Sequence, residues 1–533
     1  MAKFFNSKSV SDSKNKREKV KRAPTFAESL LALIILIGLI AVGFIGYGLP
    51  INPILMLASF IFVFMAFRCG WKWEQLQNAI VEKFKSVTVI ILMNFLVGGT
   101  IAACIYCGTI PYLIYLIFKI INPNQIYLWS FISCCIFSLV TGTSWTTAGT
   151  IGLAMFGAGL GMGADPALLV AAIVSGAIFG DKLSPISETT ILAPLCAGTT
   201  VYEHIYSMLY TTVPTAVICA VFFFICGRSM PGGAELPEVA VTVSRELSSM
   251  FKFSPIVLIP FILIFLGSIL KWGNMPSLCI ATFAAVFVAI FYQKADIADV
   301  LNAATNGMKV SYLGFEDASV LSSSTLSIVQ RGGMTSMAGT NITVCCGFVL
   351  AAIMSAAGFL QTAFSPVLNF CRGRRVRLIT STLATDFIIM SCAGSSYPAH
   401  IIVSEIYKRE YFEQGLDPKV LSRTLEDVGT MTTPLVPWTA SGAYYIGLFG
   451  VAAYGVGGYC KYALNCWLNP IAAIILAVTG IGMFKMSREK RKMMLDKLDE
   501  EARNEGEVEE VIDLEEGYAK NSGDIKLNKG VTE

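Results

Sequence analysis

The chain has 533 residues, 54% of them hydrophobic and 14% charged, with a formal net charge of +3, and its mean hydropathy is +0.63. Soluble domains carry roughly 25% charge, so the composition is that of a polytopic membrane protein, and nothing in it asks for nucleic acid. The 15 cysteines are scattered through apolar runs without zinc-site spacing, and two histidines make a histidine-rich metal centre improbable. With no Walker A stretch and no GxGxxG after a strand, the sequence calls for no cofactor.

In chain order, residues 1–28 carry eight Lys or Arg against three acids and form a basic segment expected on the cytoplasmic side. A first span follows at 30–48; a second apolar run at 51–67 makes it a retained helix and not a signal peptide. Residues 68–86 set Trp71, Leu76, Ile80 and Phe84 on a helical repeat beside Lys72, Lys83 and Lys85, the pattern of a surface helix. The next apolar stretch, from Val87 through CGTIP at 107–111, runs to roughly 30 residues where ~20 suffice, so a break at Gly108 and Pro111 or a re-entrant hairpin is expected.

Further spans fit 126–140, 147–160, 167–198 with a break, and 205–227. The polar stretch 228–252 reads as the connection between a first transmembrane half (29–227) and a second (253–486). In the second half, spans fit 253–270, 275–292, 336–362, 377–406, 424–446, 447–460 and 466–484. Residues 293–310 resemble 68–86 in character, and 311–333 read as a re-entrant or lateral element. The fold class expected is all-α and polytopic, with about eleven to thirteen crossings, some by discontinuous helices. Residues 487–533 read as a charged, disordered or loosely helical cytoplasmic tail with little to bury; CRGRRVR at 371–377 and KMSREKRK at 485–492 put both termini inside.

The chemistry concentrates in residues 141–200. Apolar runs there are interrupted by Thr143, Ser144, Thr146 and Thr147, then by Asp181, Lys182, Pro185 and Glu188. Ionised groups at membrane depth cost several kcal/mol or more, so they are paired, face a water-filled cavity, or move a solute. Pro185, Pro194, Gly180 and Gly198 mark a discontinuous helix exposing carbonyls and amides around a polar centre; a short polar loop between two ordinary spans is the plainer alternative. The halves echo each other: GTSWTTAG (142–149) then DKLSPISETTILAP (181–194), against GSSYPAH (394–400) then RTLEDVGTMTTPLVP (423–437). Such an order fits two inverted repeats of a transporter core.

The stretches GTSWTTAGTIG, GAIFGDKLSPISETTILAP, SRTLEDVGTMTTPLVPW and CWLNPI (466–471) resemble the NhaC-type family of sodium–proton antiporters, which includes exchangers coupling malate, lactate and protons to sodium. The resemblance covers most of residues 30–485 and implies a multi-pass inner-membrane secondary antiporter, with Asp181, Glu188, Thr189 and Thr190 in one half and Glu426, Asp427, Thr430 and Thr432 in the other as its functional residues. The surroundings of Asp386 and Tyr397 depart from the family pattern, which leaves the solute open.

Independently of the resemblance, sodium wants a small shell of oxygens, and a carboxylate beside hydroxyls and freed carbonyls can hold either sodium or a proton. Asp181 and Asp427 are the leading sodium positions, with Thr143, Ser144, Thr147 and Asp386 as further cation or proton candidates. Lys182, Arg331 and Arg423 are the cations available to an organic anion, though charge neutralisation explains Lys182 and Arg423 and a helix end explains Arg331. Trp145 and Trp438 read as gates or as packing residues. His204 and His400 read as packed polar residues before pH sensors. The expected partners are the bilayer, sodium and protons; small carboxylates and a homodimer stay open. A cation channel is the rival reading, but charge clustered at broken segments fits alternating access better than a continuous filter.

Overall fold

The computed structural model describes residues 21–228, 237–270, 272–315, 317–364 and 373–500. The first half comprises α1 (Phe26–Leu39), α2 (Ile51–Arg68), α3 (Trp73–Tyr106), α4 (Thr109–Ile120), α5 (Ile126–Thr141), α6 (Ser144–Thr147), α7 (Leu153–Gly161), α8 (Pro166–Leu183), α9 (Glu188–Ala197) and α10 (Val201–Arg228). Then come α11 (Glu238–Met250), α12 (Ile259–Ile269), α13 (Asn274–Phe291), α14 (Ile297–Asn306), α15 (Ser323–Val329), α16 (Ala338–Ala356) and α17 (Phe359–Phe364). The last group is α18 (Arg375–Ala393), α19 (Ser396–Glu413), α20 (Pro418–Leu425), α21 (Ala440–Phe449) and α22 (Leu464–Thr479). Among the described residues nine helices are long and apolar enough to cross a membrane, or ten if α11 and the segment after it, bent by 99°, count as one span. The protein is an all-α multi-pass membrane protein. Any further crossings towards the expected eleven to thirteen have to be made by short or broken helices.

Several expected boundaries shift for identifiable reasons. The amphipathic stretch at 68–86 is no separate surface helix from Trp73 onward; it runs into the next span as α3, because no Gly or Pro separates the two. The stretch 377–406 is two helices, since Gly394 takes φ 72° and ends α18. The stretch 447–460 is not a span. Gly450, Gly455 and Gly457 all take positive φ, and the loop is held by Tyr459 N–H to Ala452 O (3.1 Å) and Cys460 N–H to Ala453 O (3.1 Å). Irregular backbone at membrane depth is tolerated where protein surrounds it. The expected linker at 228–252 is largely α11, residues 229–236 lying outside the described set, as do residues 1–20, Lys271, Glu316, 365–372 and the acidic tail beyond Glu500. The disordered tail expected from 487 is instead helical over 488–500, because Met494, Leu495 and Leu498 pack on the core.

One order of elements recurs at a constant separation of 252 residues. Positive-φ glycines pair as Gly142 with Gly394, Gly163 with Gly415 and Gly198 with Gly450. Asp165 and Asp417 each cap a helix that opens on proline, α8 and α20. Helix α9 matches α21 from end to end. This register corrects the pairing read from motif character: Asp181 corresponds to Thr433, and Asp427 to Ser175.

The site is set by the contact between α5 and α8. A Cβ on Gly176 would lie 2.3 Å from Phe131 O, and one on Gly180 would lie 2.4 Å from Cys135 O. These glycines, four residues apart on one helix face, let the two backbones touch. Ser138 Oγ closes the contact by donating to Ala177 O at 2.6 Å. Helix α8 is therefore enclosed by protein, and Asp181 is fixed two residues from its end.

Candidate functional site

Asp181 sits where two broken helices meet. Its Oδ2 accepts from the backbone N–H of Ser144 at 3.1 Å, at the start of α6 after the Gly142 break. Its Oδ1 accepts from Ser187 Oγ at 2.6 Å, Ser187 being the N-cap position of α9. A helix start presents unpaired N–H groups and a partial positive charge, which suits a carboxylate. Asp181 is half-buried, and it opens on a cavity of ≈ 150 Å³.

Both recurring units line that cavity. The first supplies Thr143, Ser144, Trp145, Asp181, Ser187, Glu188 and Thr189; the second supplies Ser395, Ser396, Tyr397, Thr430, Thr433 and Ser441. The aromatic residue after each glycine break reaches across to the other unit. Trp145 Nε1 donates to Ser441 Oγ at 3.2 Å, and Tyr397 Oη donates to Glu188 Oε2 at 2.7 Å. Trp145 and Tyr397 are equivalent in the 252-residue register, and their targets stand at the starts of the equivalent helices, Ser441 second in α21 and Glu188 first in α9. The contact is thus reciprocated, as across a two-fold axis.

Other residues singled out from the sequence lie elsewhere. Thr190 donates to the carbonyls of Asp181 (3.2 Å) and Lys182 (2.9 Å), filling acceptors left open by the helix break. Thr147 donates to Thr143 O at 2.8 Å and Thr432 to Val428 O at 2.7 Å, each one turn back. Asp427 is fully buried: its Oδ1 accepts from Lys182 Nζ at 2.6 Å and from Thr211 Oγ1 at 2.7 Å. Lys182 also donates to Asn469 Oδ1 at 3.0 Å, and Arg423 Nε stands 3.8 Å from Asp427 Oδ2 while its Nη1 donates to Gly482 O at 2.9 Å. Arg331 donates to Ser327 O at 2.6 Å and to the last carbonyls of α21. Among the described residues no Lys or Arg lines the cavity. Asp386 and Glu426 are fully buried, behind the cavity wall.

Sequence reasoning missed Ser187 as the hydroxyl that donates to Asp181, Asn469 as a partner of Lys182, and the contact of Tyr397 with Glu188. Ser187 was findable as a preferred N-cap residue ahead of ETT. The other two are contacts between residues over 200 positions apart.

The donor set around Asp181 is one carboxylate with serine and threonine hydroxyls, oxygens of the kind a hard cation takes. The sequence profile of the Na+/H+ antiporter family matches residues 7–199 and 179–481. The chain belongs to that family. An uncharacterized Na+/H+ antiporter of Haemophilus influenzae is 35% identical over 88% of this chain and 98% of its own. The malate-2H+/Na+-lactate antiporter of Bacillus subtilis is 32% identical over 86% of this chain and 96% of its own. The Na+/H+ antiporter NhaC of Alkalihalophilus pseudofirmus is 32% identical over 78% and 87%. The chain is a secondary active antiporter, and its family is one of transporters, not enzymes.

Proposed function

We propose that this antiporter exchanges sodium ions for protons by alternating access, the two cations competing for Asp181. The observation that carries the reading is a single half-buried carboxylate, held by Ser144 and Ser187 at the junction of two broken helices and facing a cavity that both units line. Sodium bound there would take oxygens from Asp181, Ser187, Thr143 and Glu188. A proton on Asp181 removes the negative charge that attracts sodium, so the two states exclude each other without a separate coupling device. The reciprocated Trp145 and Tyr397 contacts are the elements expected to open in turn. Both termini are assigned to the cytoplasm from the basic residues that flank the spans.

A second cargo deserves testing because the cavity holds Glu188 as well as Asp181, two aromatic rings and no cationic side chain. Such a lining repels a carboxylate such as malate or lactate but suits an organic cation, and a relative 27% identical over 88% of this chain is an arginine/ornithine antiporter of Halobacterium salinarum. Proteoliposomes given a sodium gradient alone, and then with malate, lactate, arginine or ornithine, decide the matter. Internal alkalinisation or acidification driven by sodium alone is expected. Exchange that requires one of the organic solutes, with labelled solute crossing in fixed proportion, would replace this reading.

A further inference from the structure

Behind the cavity wall, three ionisable side chains meet in the second unit. His400 on α19 stands between two acids: its Nδ1 is 3.6 Å from Asp386 Oδ2 on α18, and its Nε2 is 3.9 Å from Glu426 Oε1, in the π turn Glu426–Thr430 that follows α20. All three side chains are fully buried. Among the described residues, both carboxylate oxygens of Asp386, both of Glu426 and Nδ1 of His400 have no hydrogen-bond partner. The approach depends on Gly429, where a Cβ would fall 2.4 Å from His400 Cε1 and 2.8 Å from Asp386 Oδ2.

Packing does not demand this cluster. In the 252-residue register the equivalents of Asp386, His400 and Glu426 are Cys134, Ala148 and Val174, all buried and all apolar or nearly so. The same fold position is therefore filled without charge in the first unit. The cluster also communicates with the cavity, because Thr430 lines the cavity and its hydroxyl lies 3.4 Å from His400 Nε2.

We propose that Asp386, His400 and Glu426 form a second proton-carrying site, distinct from Asp181, so that each cycle moves two protons against one sodium ion. The proposal rests on the sodium–proton reading above. With both acids ionised and the ring neutral, the cluster would hold two negative charges away from water, one more than its cationic neighbours offset, a costly state. One proton on the ring and one on a carboxyl bring it to zero net charge; releasing one proton leaves a single negative charge shared among the three groups, which titrate as a unit. One proton therefore binds on one side of the membrane and leaves on the other, while Asp181 trades its own proton for sodium. The other charged groups near the cluster are Lys182 and Asp181 on α8, Asp427 beside Glu426, Arg423 on α20, Glu188 at the start of α9, and His204 on α10. Lys182 and Arg423 share one carboxylate, Asp427, so these three carry one net positive charge, which offsets the single negative charge the cluster keeps after it releases a proton; Tyr397 engages Glu188. Asp386 is the only acid on α18, and α16 and α22, packed against it, carry no charge.

The test uses the full-length protein in proteoliposomes, with labelled sodium flux measured at clamped membrane voltage to find the sodium gradient that balances a fixed proton gradient. Wild type is expected to balance at about two protons per sodium, and Asp386→Asn and His400→Gln at about one, with sodium–sodium exchange kept within about twofold. Glu426→Gln carries the same expectation and serves if another variant does not fold. A wild-type ratio of one overturns the second site and leaves sodium–proton exchange standing. Variants that keep the wild-type ratio, or that lose sodium–sodium exchange as well, also overturn it. A wild type that moves no sodium removes the underlying reading and this site together.

Discussion

Lys182 and Asp427 join the two recurring units through an ion pair of 2.6 Å in which both side chains are fully buried. Lys182 follows Asp181 directly, so the pair ties the cavity carboxylate of one unit to the π turn of the other. A buried pair adds little net stability over a well-packed apolar one, but breaking it leaves an uncompensated charge. Lys182→Met is therefore expected to cost about 3–5 kcal/mol, read as a large fall in the thermal unfolding midpoint of the purified protein. Adding Asp427→Leu should recover part of that loss. If the double variant is less stable than the single one, the pair is not the latch described.

Asp181→Asn should reduce sodium-driven proton movement in inside-out vesicles to the level of vesicles lacking the protein, while membrane insertion is unchanged. The amide keeps the acceptor for Ser187 but cannot take up a proton or balance sodium. Normal exchange in this variant would remove Asp181 from the site. Asp427→Asn is expected to differ: its carboxylate is engaged by Lys182 and Thr211, so yield and stability should suffer first.

The centre of the site was legible in the sequence because its signals are local. A charged residue next to Gly and Pro in an apolar run marks a broken helix wherever the partner lies, and Asp181, Ser144 and Glu188 all stand in such runs. The glycine breaks at Gly142 and Gly394 were visible as paired motifs. What hydropathy could not resolve was the exact register, because Gly, Ser and Thr breaks barely change an apolar average; 377–406 and 447–460 were read as spans for that reason. Asp427 was read as a second sodium position because its cation, Lys182, lies 245 positions away in sequence. His400 read as isolated since neither Asp386 nor Glu426 is near it along the chain.

The α5–α8 contact gives a packing prediction. Gly180→Val would drive two methyl groups towards Cys135 O and Leu139 N, where a Cβ alone already falls at 2.4 and 2.5 Å. Overpacking of this kind costs about 1–3 kcal/mol or more, and here backbone faces backbone, with no flexible side chain to give way. The expected outcome is a strong loss of folded protein by size-exclusion profile. Gly163→Ala, with nothing within 4 Å of its Cβ, is the milder control, burdened only by its positive φ.

Tyr397→Phe isolates one hydroxyl. The ring keeps its place in the cavity lining, but Glu188 loses the donor that holds Oε2 at 2.7 Å. A hydrogen bond to a charged group contributes about 1.5–3 kcal/mol, so if Glu188 belongs to the sodium shell, its loosening should raise the sodium concentration for half-maximal exchange by roughly tenfold. The maximal rate should change little, because Asp181 and its two donors are untouched. Glu188→Gln should raise that concentration further and should make Tyr397→Phe nearly silent when the two are combined, since the hydroxyl then has no charge to hold. Additive effects in the double variant would mean that Tyr397 acts on the cavity through its ring or through another partner, and Glu188 would leave the proposed shell.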